Sequence, residues 1–425
     1  MKTLLSTRLR SVNVVLSMAL LVAAFFPQAQ AADTGAWVPG WTASPQPVWG
    51  SDFVLPLGLP ATLHDQTVRQ VVLASAGGAR VRIMLSNEYG SQPLHIGAAH
   101  VALAGALPGS TGGPSQQLTF GGQPTVTVPA GAPILSDPVS MSVAPMSRLA
   151  VSLYFPEVTP LTTIHWEGLQ PAQVMRGSVA GAVAVKADST INSRLFLSAV
   201  LMEAAPHTRT VVAFGDSITD GAASTPGTDQ RWPDFLARRL AGGNVAVVNA
   251  GISGGRVLKN HMGANALARF DRDVLGQPGI ASVLLLMGIN DISWPGSTFE
   301  PTAPATHYAA LLAGYRQLIA RAHGRKVRMV GITLTPFQNA LTMQGSPISN
   351  YYSPEKEALR QRINDWIRHS GEFDAVLDFD AVVRDPQNPL RILPAYDSGD
   401  HLHLGDAGNR AVAHSIDPQL LLAKR

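Results

Sequence analysis

Asp400 and His403 stand three residues apart in the run Asp397-Ser398-Gly399-Asp400-His401-Leu402-His403-Leu404, close enough for the carboxylate to hold one imidazole nitrogen. The other nitrogen is then free to face a nucleophile. A serine suited to that part is Ser217, where the apolar run Val211 to Phe214 ends in the sharp polar turn Gly215-Asp216-Ser217. Two further turns offer hydrogen-bond donors. Asn249-Ala250-Gly251-Ile252-Ser253-Gly254-Gly255-Arg256 is glycine-rich, so its backbone N–H groups can approach a ligand unobstructed, and Gly288-Ile289-Asn290-Asp291 carries a side-chain amide. Nucleophile, base, orienter of the base and donors for an oxyanion are the parts that acyl transfer requires. Singly each is weak, because a serine after a strand often caps a helix and Gly or Asn-Asp pairs are ordinary turn formers. His401 is a competing base two residues from His403. A metal site could also be drawn from Asp400, His401, His403 and Asp406, but four groups so close in sequence are hard to aim at one point, and no metal or cofactor is expected.

These turns converge only if they sit on one edge of one sheet. From Thr210 onward strands alternate with helices: Thr210 to Phe214 then Trp232 to Leu240, Val245 to Asn249 then Asn265 to Val274, and Ser282 to Met287 then Thr306 to His323. Val327 to Thr333 then Pro354 to Ser370, and Ala375 to Phe379 then Asp406 to Leu422, complete five units. Such alternation implies a helix-covered parallel sheet whose carboxyl edge binds ligands. The loops from Ile292 to Ala305 and from Thr335 to Ser353 are long and rich in Pro, Gly and Ser, as loops that serve a site or its lid are. Trp294, Phe337, Tyr351, Tyr352 and Tyr396 are the loop aromatics that could line a pocket.

From Trp37 to Glu203 the texture is different. Short runs such as Val68 to Ala74, Ala79 to Leu85, Thr125 to Val128, Arg148 to Phe155 and Arg194 to Met202 are separated by Gly, Pro and Asn turns, which predicts an antiparallel, jelly-roll-like sandwich. It is expected to shield and position the catalytic half rather than bind sugar, since no row of stacking aromatics is evident; Trp41, Trp49 and Trp166 are assigned to core or interface.

A chain of 425 residues, 46% hydrophobic and 14% charged, has room for two globular domains. Lys2, Arg8 and Arg10, the apolar run Val14 to Phe26 and Ala29-Gln30-Ala31 form the three-part pattern of a cleaved secretory signal. The expected division is a signal peptide over 1–31, an all-β domain over 32–205 and an α/β domain over 206–425. The formal charge is +3, and removing the three basic residues of the leader makes the remainder neutral, so charge does not point to nucleic acid. The absence of cysteine excludes disulfides and thiolate chemistry.

Taken as a set and in this order, Gly215-Asp216-Ser217, the glycine turn ending at Gly254, Gly288-x-Asn290-Asp291 and Asp400-x-x-His403 resemble the blocks of the SGNH hydrolases, also called the GDSL esterase and lipase family. The resemblance runs from His207 to the C-terminus, and the all-β half looks like the N-terminal domain of some secreted members. It implies a flavodoxin-like three-layer sheet and a serine esterase mechanism. His403 would accept the Ser217 proton, Asp400 would orient the imidazole, and the Ser217 N–H, Gly254 N–H and Asn290 amide would form the oxyanion hole. The chain departs from the family pattern at His401, where glycine is common, and at Leu404, where proline is. Thr219 stands where the second glycine of a G-x-S-x-G elbow would be, which argues against the α/β-hydrolase fold. The expectation is a cofactor-free esterase, secreted or periplasmic, acting on small-molecule or polysaccharide esters. O-acetyl groups on carbohydrate come first, and a short-chain aryl esterase or lysophospholipase is the alternative. No nucleic-acid partner and no stable membrane anchor after leader cleavage are expected. The competing reading from another class is a non-catalytic carbohydrate-binding protein.

Overall fold

The run Val211–Phe214 is apolar throughout because it lies inside β1 (Arg209–Gly215), where every residue after Arg209 is buried. In the computed structural model, which describes residues 36–423, β1 pairs in parallel with β2 (Val245–Gly251) on one side and β3 (Ile280–Leu286) on the other. β4 (Arg328–Ile332) and β5 (Ala375–Leu377) continue the sheet, giving the order β2-β1-β3-β4-β5 with all strands parallel. This is the doubly wound order in which the chain reverses direction beside β1, so the turn after β1 opens at the crevice where such sheets bind ligands.

The connections are α1 (Ser217–Asp220), α2 (Trp232–Leu240), α3 (Ala266–Phe270), α4 (Ile289–Ser293), α5 (Tyr308–Gly324), α6 (Pro354–His369), α7 (Phe379–Val383), α8 (Asp406–Ser415) and α9 (Pro418–Leu422). Three differ from expectation for local reasons. α3 passes into a π turn over Asp271–Leu275. β5 stops at Leu377 because Asp378 caps α7, accepting the Ala381 N–H at 3.1 Å. The expected helix from Asp406 to Leu422 breaks at Ile416, and α9 restarts with Asp417 as cap and Pro418 in its first turn.

The residues ahead of β1 are mostly strands. A five-stranded antiparallel sheet is built on Ala36–Thr42, Leu197–Ala204 and Gly78–Ser86, and a six-stranded one on Ala172–Arg176, Gln66–Ala74, Ser147–Phe155 and Ala98–Leu103. Their alternating apolar residues, among them Val68, Val72, Ile83, Leu149 and Val200, form one core, and a second core fills the parallel sheet and its helices. The expected strand from Arg194 to Met202 is interrupted at Phe196, which adopts a φ of 57°. The leader expected over 1–31 lies outside the described residues.

β2 is an edge strand, and the all-β half covers it. Ala246 belongs to the all-β core, the Val247 N–H donates to Ser75 Oγ at 3.1 Å, and Thr42 Oγ1 donates to the Asn249 carbonyl at 2.9 Å. Covering the edge satisfies its backbone and blocks pairing with another chain.

Candidate active site

Ser217 is the first residue of α1. Asp216 precedes it as the cap, its Oδ1 accepting the Ile218 N–H at 3.1 Å, and Gly221 ends the helix in the left-handed region at φ 103°. Being first in the helix, the Ser217 N–H has no partner within it, and among the described residues it finds no other protein acceptor. The turn is held from below by Arg269. This fully buried guanidinium donates to the Gly215 carbonyl at 2.9 Å and the Ala250 carbonyl at 2.7 Å, pairs with Asp273 at 3.0 Å and lies over the Phe214 ring. Arg269→Ala would take a charged donor from two buried carbonyls, of which Gly215 keeps the Ile252 N–H, and Asp273 keeps Arg272 as a partner. We expect a loss of about 2–4 kcal/mol in urea denaturation, seen as a lower midpoint at unchanged slope.

The loop from Asp397 to Leu404 presents the base. Asp400 Oδ1 accepts the Leu402 N–H at 2.9 Å and the His403 N–H at 2.8 Å, and its Oδ2 lies 2.6 Å from His403 Nδ1. A carboxylate accepts only, so Nδ1 carries the hydrogen and Nε2 the lone pair. Nε2 is 2.8 Å from Ser217 Oγ and therefore accepts the serine hydrogen. Burial by itself would push the Asp400 carboxyl up, but the charge and hydrogen bonds of His403 and the Leu402 N–H hold it well below the usual range. Burial would lower His403, yet the Asp400 charge and hydrogen bond outweigh it, so its pKa is raised. His401 adopts a φ of 63° and turns its Nδ1 to Asp397 Oδ2 at 2.6 Å, while Asp406 binds the Thr225 N–H and hydroxyl. Of the four residues considered for a metal, Asp400 and His403 pair with each other while His401 and Asp406 turn to other partners, and among the described residues no cluster of three or more His, Cys, Asp or Glu could hold an ion.

Gly254 sits at φ +72°, and a Cβ there would meet Met262 Sδ at 2.4 Å and Trp294 at 3.0 Å, so both backbone and space require glycine. Its N–H has no protein acceptor among the described residues. The preceding Ser253 is held by Asp220 Oδ2, which accepts the Ser253 N–H at 2.9 Å and hydroxyl at 3.1 Å. Asp220 is in turn held by His165 of the all-β half, whose Nε2 lies 2.9 Å from Oδ1. Asn290 opens α4. Its Oδ1 accepts from Trp294 Nε1 at 3.0 Å and from Tyr351 Oη at 2.8 Å, and since an indole N–H only donates, the other end of the amide is the nitrogen. Nδ2 uses one hydrogen on the Gly255 carbonyl at 3.1 Å and keeps one for a ligand. Asn290→Ala is expected to lower kcat by ~100–1,000-fold. Tyr351→Phe leaves Asn290 Oδ1 with Trp294 alone, and we expect a smaller fall in kcat at similar KM in steady-state kinetics on p-nitrophenyl esters.

Ser217, Gly254, Asn290 and His403 all line one cavity of about 410 Å³, with Asp400 behind His403. Of the loop aromatics, Trp294 and Tyr351 line it; Phe337, Tyr352 and Tyr396 do not. Trp166, assigned by sequence to core or interface, lines the cavity as well. Sequence reasoning did not name Leu55 and Glu167 of the all-β half, Met262, Phe299, Leu341 or Met343 to Ile348. The length and composition of the loop from Thr335 to Ser353 signalled the last of these. Glu167 and His165 carried no motif.

A parallel α/β sheet with a Ser–His–Asp chain and free donors at the carboxyl edge has the parts of a serine acylhydrolase. Residues 213–411 match the model of the GDSL-like Lipase/Acylhydrolase family. Among solved structures, the acetyl xylan esterase AlAXEase is 20% identical over 48% of this chain and 96% of its own, with a TM-score of 0.35. A GDSL-like lipase from Bacteroides thetaiotaomicron VPI-5482 is 18% identical over 51% of this chain and 89% of its own, with a TM-score of 0.36. The native M. smegmatis aryl esterase is 16% identical over 49% of this chain and 95% of its own, also at 0.36. No curated protein matches the chain.

Proposed function

We propose that the chain hydrolyses carboxylic esters through an acyl-enzyme on Ser217, a reading carried by the unbroken hydrogen-bond chain from Asp400 through His403 to Ser217. Ser217 Oγ attacks the ester carbonyl as its hydrogen passes to His403 Nε2. The oxyanion faces the Ser217 and Gly254 N–H groups and the spare Asn290 amide hydrogen. His403 then returns the proton to the leaving alcohol, and water repeats the sequence to release the acid.

The cavity wall beside the oxyanion donors is apolar, formed by Met262, Trp294, Phe299, Ile348 and Tyr351, and it has room for more than an acetyl group. That favours a short to medium acyl chain. Removal of O-acetyl groups from carbohydrate is the second reading, favoured by the Glu167 carboxyl in the same cavity. The two separate in a series of p-nitrophenyl esters from acetyl through butyryl and octanoyl to palmitoyl, assayed alongside acetylated xylan with Ser217→Ala as control. A serine-dependent maximum at butyryl or octanoyl supports the first reading; a maximum at acetyl with release from xylan supports the second. Hydrolysis that survives Ser217→Ala contradicts both.

Export rests on the pattern of residues 1–31, and sequencing the N-terminus of protein recovered from periplasm or medium tests it. A chain beginning at Ala32 supports cleavage; one beginning at Met1 opposes it.

A further inference from the structure

The cavity around Ser217 has one carboxyl group on its wall among the described residues, and it comes from the all-β half. Glu167 lies in the short connection after the strand Thr163–His165, and both its neighbours are pinned. The Trp166 N–H donates to Gln46 Oε1 at 2.8 Å, the Trp166 carbonyl accepts from Ser193 Oγ at 2.9 Å, and Trp166 Nε1 donates to the Leu57 carbonyl at 3.1 Å. On the other side the Gly168 carbonyl accepts from Arg194 at 3.1 Å, and a Cβ at Gly168 would meet the Asn192 carbonyl oxygen at 2.1 Å. This backbone is held from several directions, yet among the described residues the Glu167 carboxyl has no hydrogen-bond or ion-pair partner. Partly buried polar groups are ordinarily satisfied, so a rigidly presented carboxyl left open in a cavity is available to a ligand.

Its place indicates which part of a ligand it meets. The apolar residues Met262 and Trp294 pack against Gly254 and Asn290, on the side of the oxyanion donors. The charge of Glu167 acts instead on His403 and Asp220. His403 must reach the leaving oxygen to protonate it, so the alcohol part of the ester lies on the His403 side. Burial, with the Asp220 carboxylate adding to it, pushes the Glu167 pKa up to about 7 against the opposing pull of His403, so near neutrality the group can accept or donate a hydrogen bond.

We propose that Glu167 is a specificity-determining residue that binds a hydroxyl group on the leaving alcohol, so that the favoured substrates are esters of polyols, with glycerol and sugars as the two sources of that chemistry. The proposal rests on the esterase reading above. It assigns the all-β half a direct contact with substrate.

The test compares wild type, Glu167→Ala and Glu167→Gln on esters of one acid: p-nitrophenyl butyrate, butyl butyrate, glyceryl monobutyrate and a glucose monobutyrate. Glu167→Ala is expected to lower kcat/KM on glyceryl or glucose monobutyrate by ~10- to 100-fold, the value of a hydrogen bond to a charged group. Butyl and p-nitrophenyl butyrate should change by no more than about twofold. Glu167→Gln, which keeps an acceptor and a donor, should recover part of the loss. Whichever hydroxylated ester shows the larger ratio identifies the source. An equal fall on all four esters would mean that Glu167 acts on the fold or on His403, and no fall on any would mean that it is idle; either overturns the proposal. Failure of the esterase reading is distinct, because wild type would then show no Ser217-dependent hydrolysis of p-nitrophenyl butyrate.

Discussion

Ser217→Ala is expected to reduce kcat on p-nitrophenyl butyrate by ~10⁶-fold, the order seen when a serine hydrolase loses its nucleophile. The loss follows from the geometry: Ser217 Oγ is the hydroxyl 2.8 Å from His403 Nε2, and it opens onto the cavity. His403→Ala should cost nearly as much, and the double variant little more than either single one, because nucleophile and base act as one unit. Residual rate above the uncatalysed reaction is expected from the oxyanion donors, which both substitutions leave in place. Steady-state kinetics on the three variants, with circular dichroism to show that each is folded, checks this. Losses that multiply in the double variant would mean that Ser217 and His403 act independently.

The second large effect is at Asp400. Asp400→Asn keeps the shape but can donate to Nδ1, favouring the tautomer with its hydrogen on Nε2, where Ser217 needs an acceptor; kcat should fall by ~10⁴-fold. The pH profile gives an independent sign. Activity requires the Nε2 lone pair, so kcat/KM falls as pH drops through the pKa of His403, which Asp400 holds above its ordinary value. The acid limb of the wild type should therefore lie above the ordinary imidazole value of about 6.5, and Asp400→Asn, which removes the charge that raises it, should move the limb to lower pH. A limb that stays in place would mean that another group sets it.

The parallel sheet was legible because its signals are local. Buried parallel strands read as apolar runs, and their order along the chain leaves few topologies open. Ser217, Asn290 and Asp400 with His403 were legible for the same reason, each being tied to the end of a strand or to a short loop. Choosing between His403 and His401 was not a matter of spacing alone. The left-handed backbone at His401 turns that ring toward Asp397, and this depends on how the whole loop closes. The break before α9 had a visible cause in Asp417-Pro418, a cap followed by a proline suited to a helix start, which the long apolar pattern obscured.

The contribution of the all-β half was hidden for a different reason. His165 and Glu167 reach the site through tertiary packing, and a lone polar residue at the end of a short strand has no periodicity to mark it. His165 holds Asp220, Asp220 holds Ser253, and Ser253 precedes Gly254, so the turn that carries the proposed oxyanion donor Gly254 is held partly from the all-β half. Trp166 shows the same limit. Its partial burial was foreseeable from its type, but the cavity on which it borders is formed by elements from both halves of the chain.

The central claim is an acyl-enzyme on Ser217, and the most direct measurement is covalent trapping. The protein is treated with an alkyl p-nitrophenyl phosphonate, digested and mapped by mass spectrometry, in parallel with His403→Ala. The account predicts one phosphonylated peptide, with the modification on Ser217, formed in step with loss of activity and strongly slowed in His403→Ala. Inactivation with the label on another residue, or full activity after Ser217 is labelled, would contradict it.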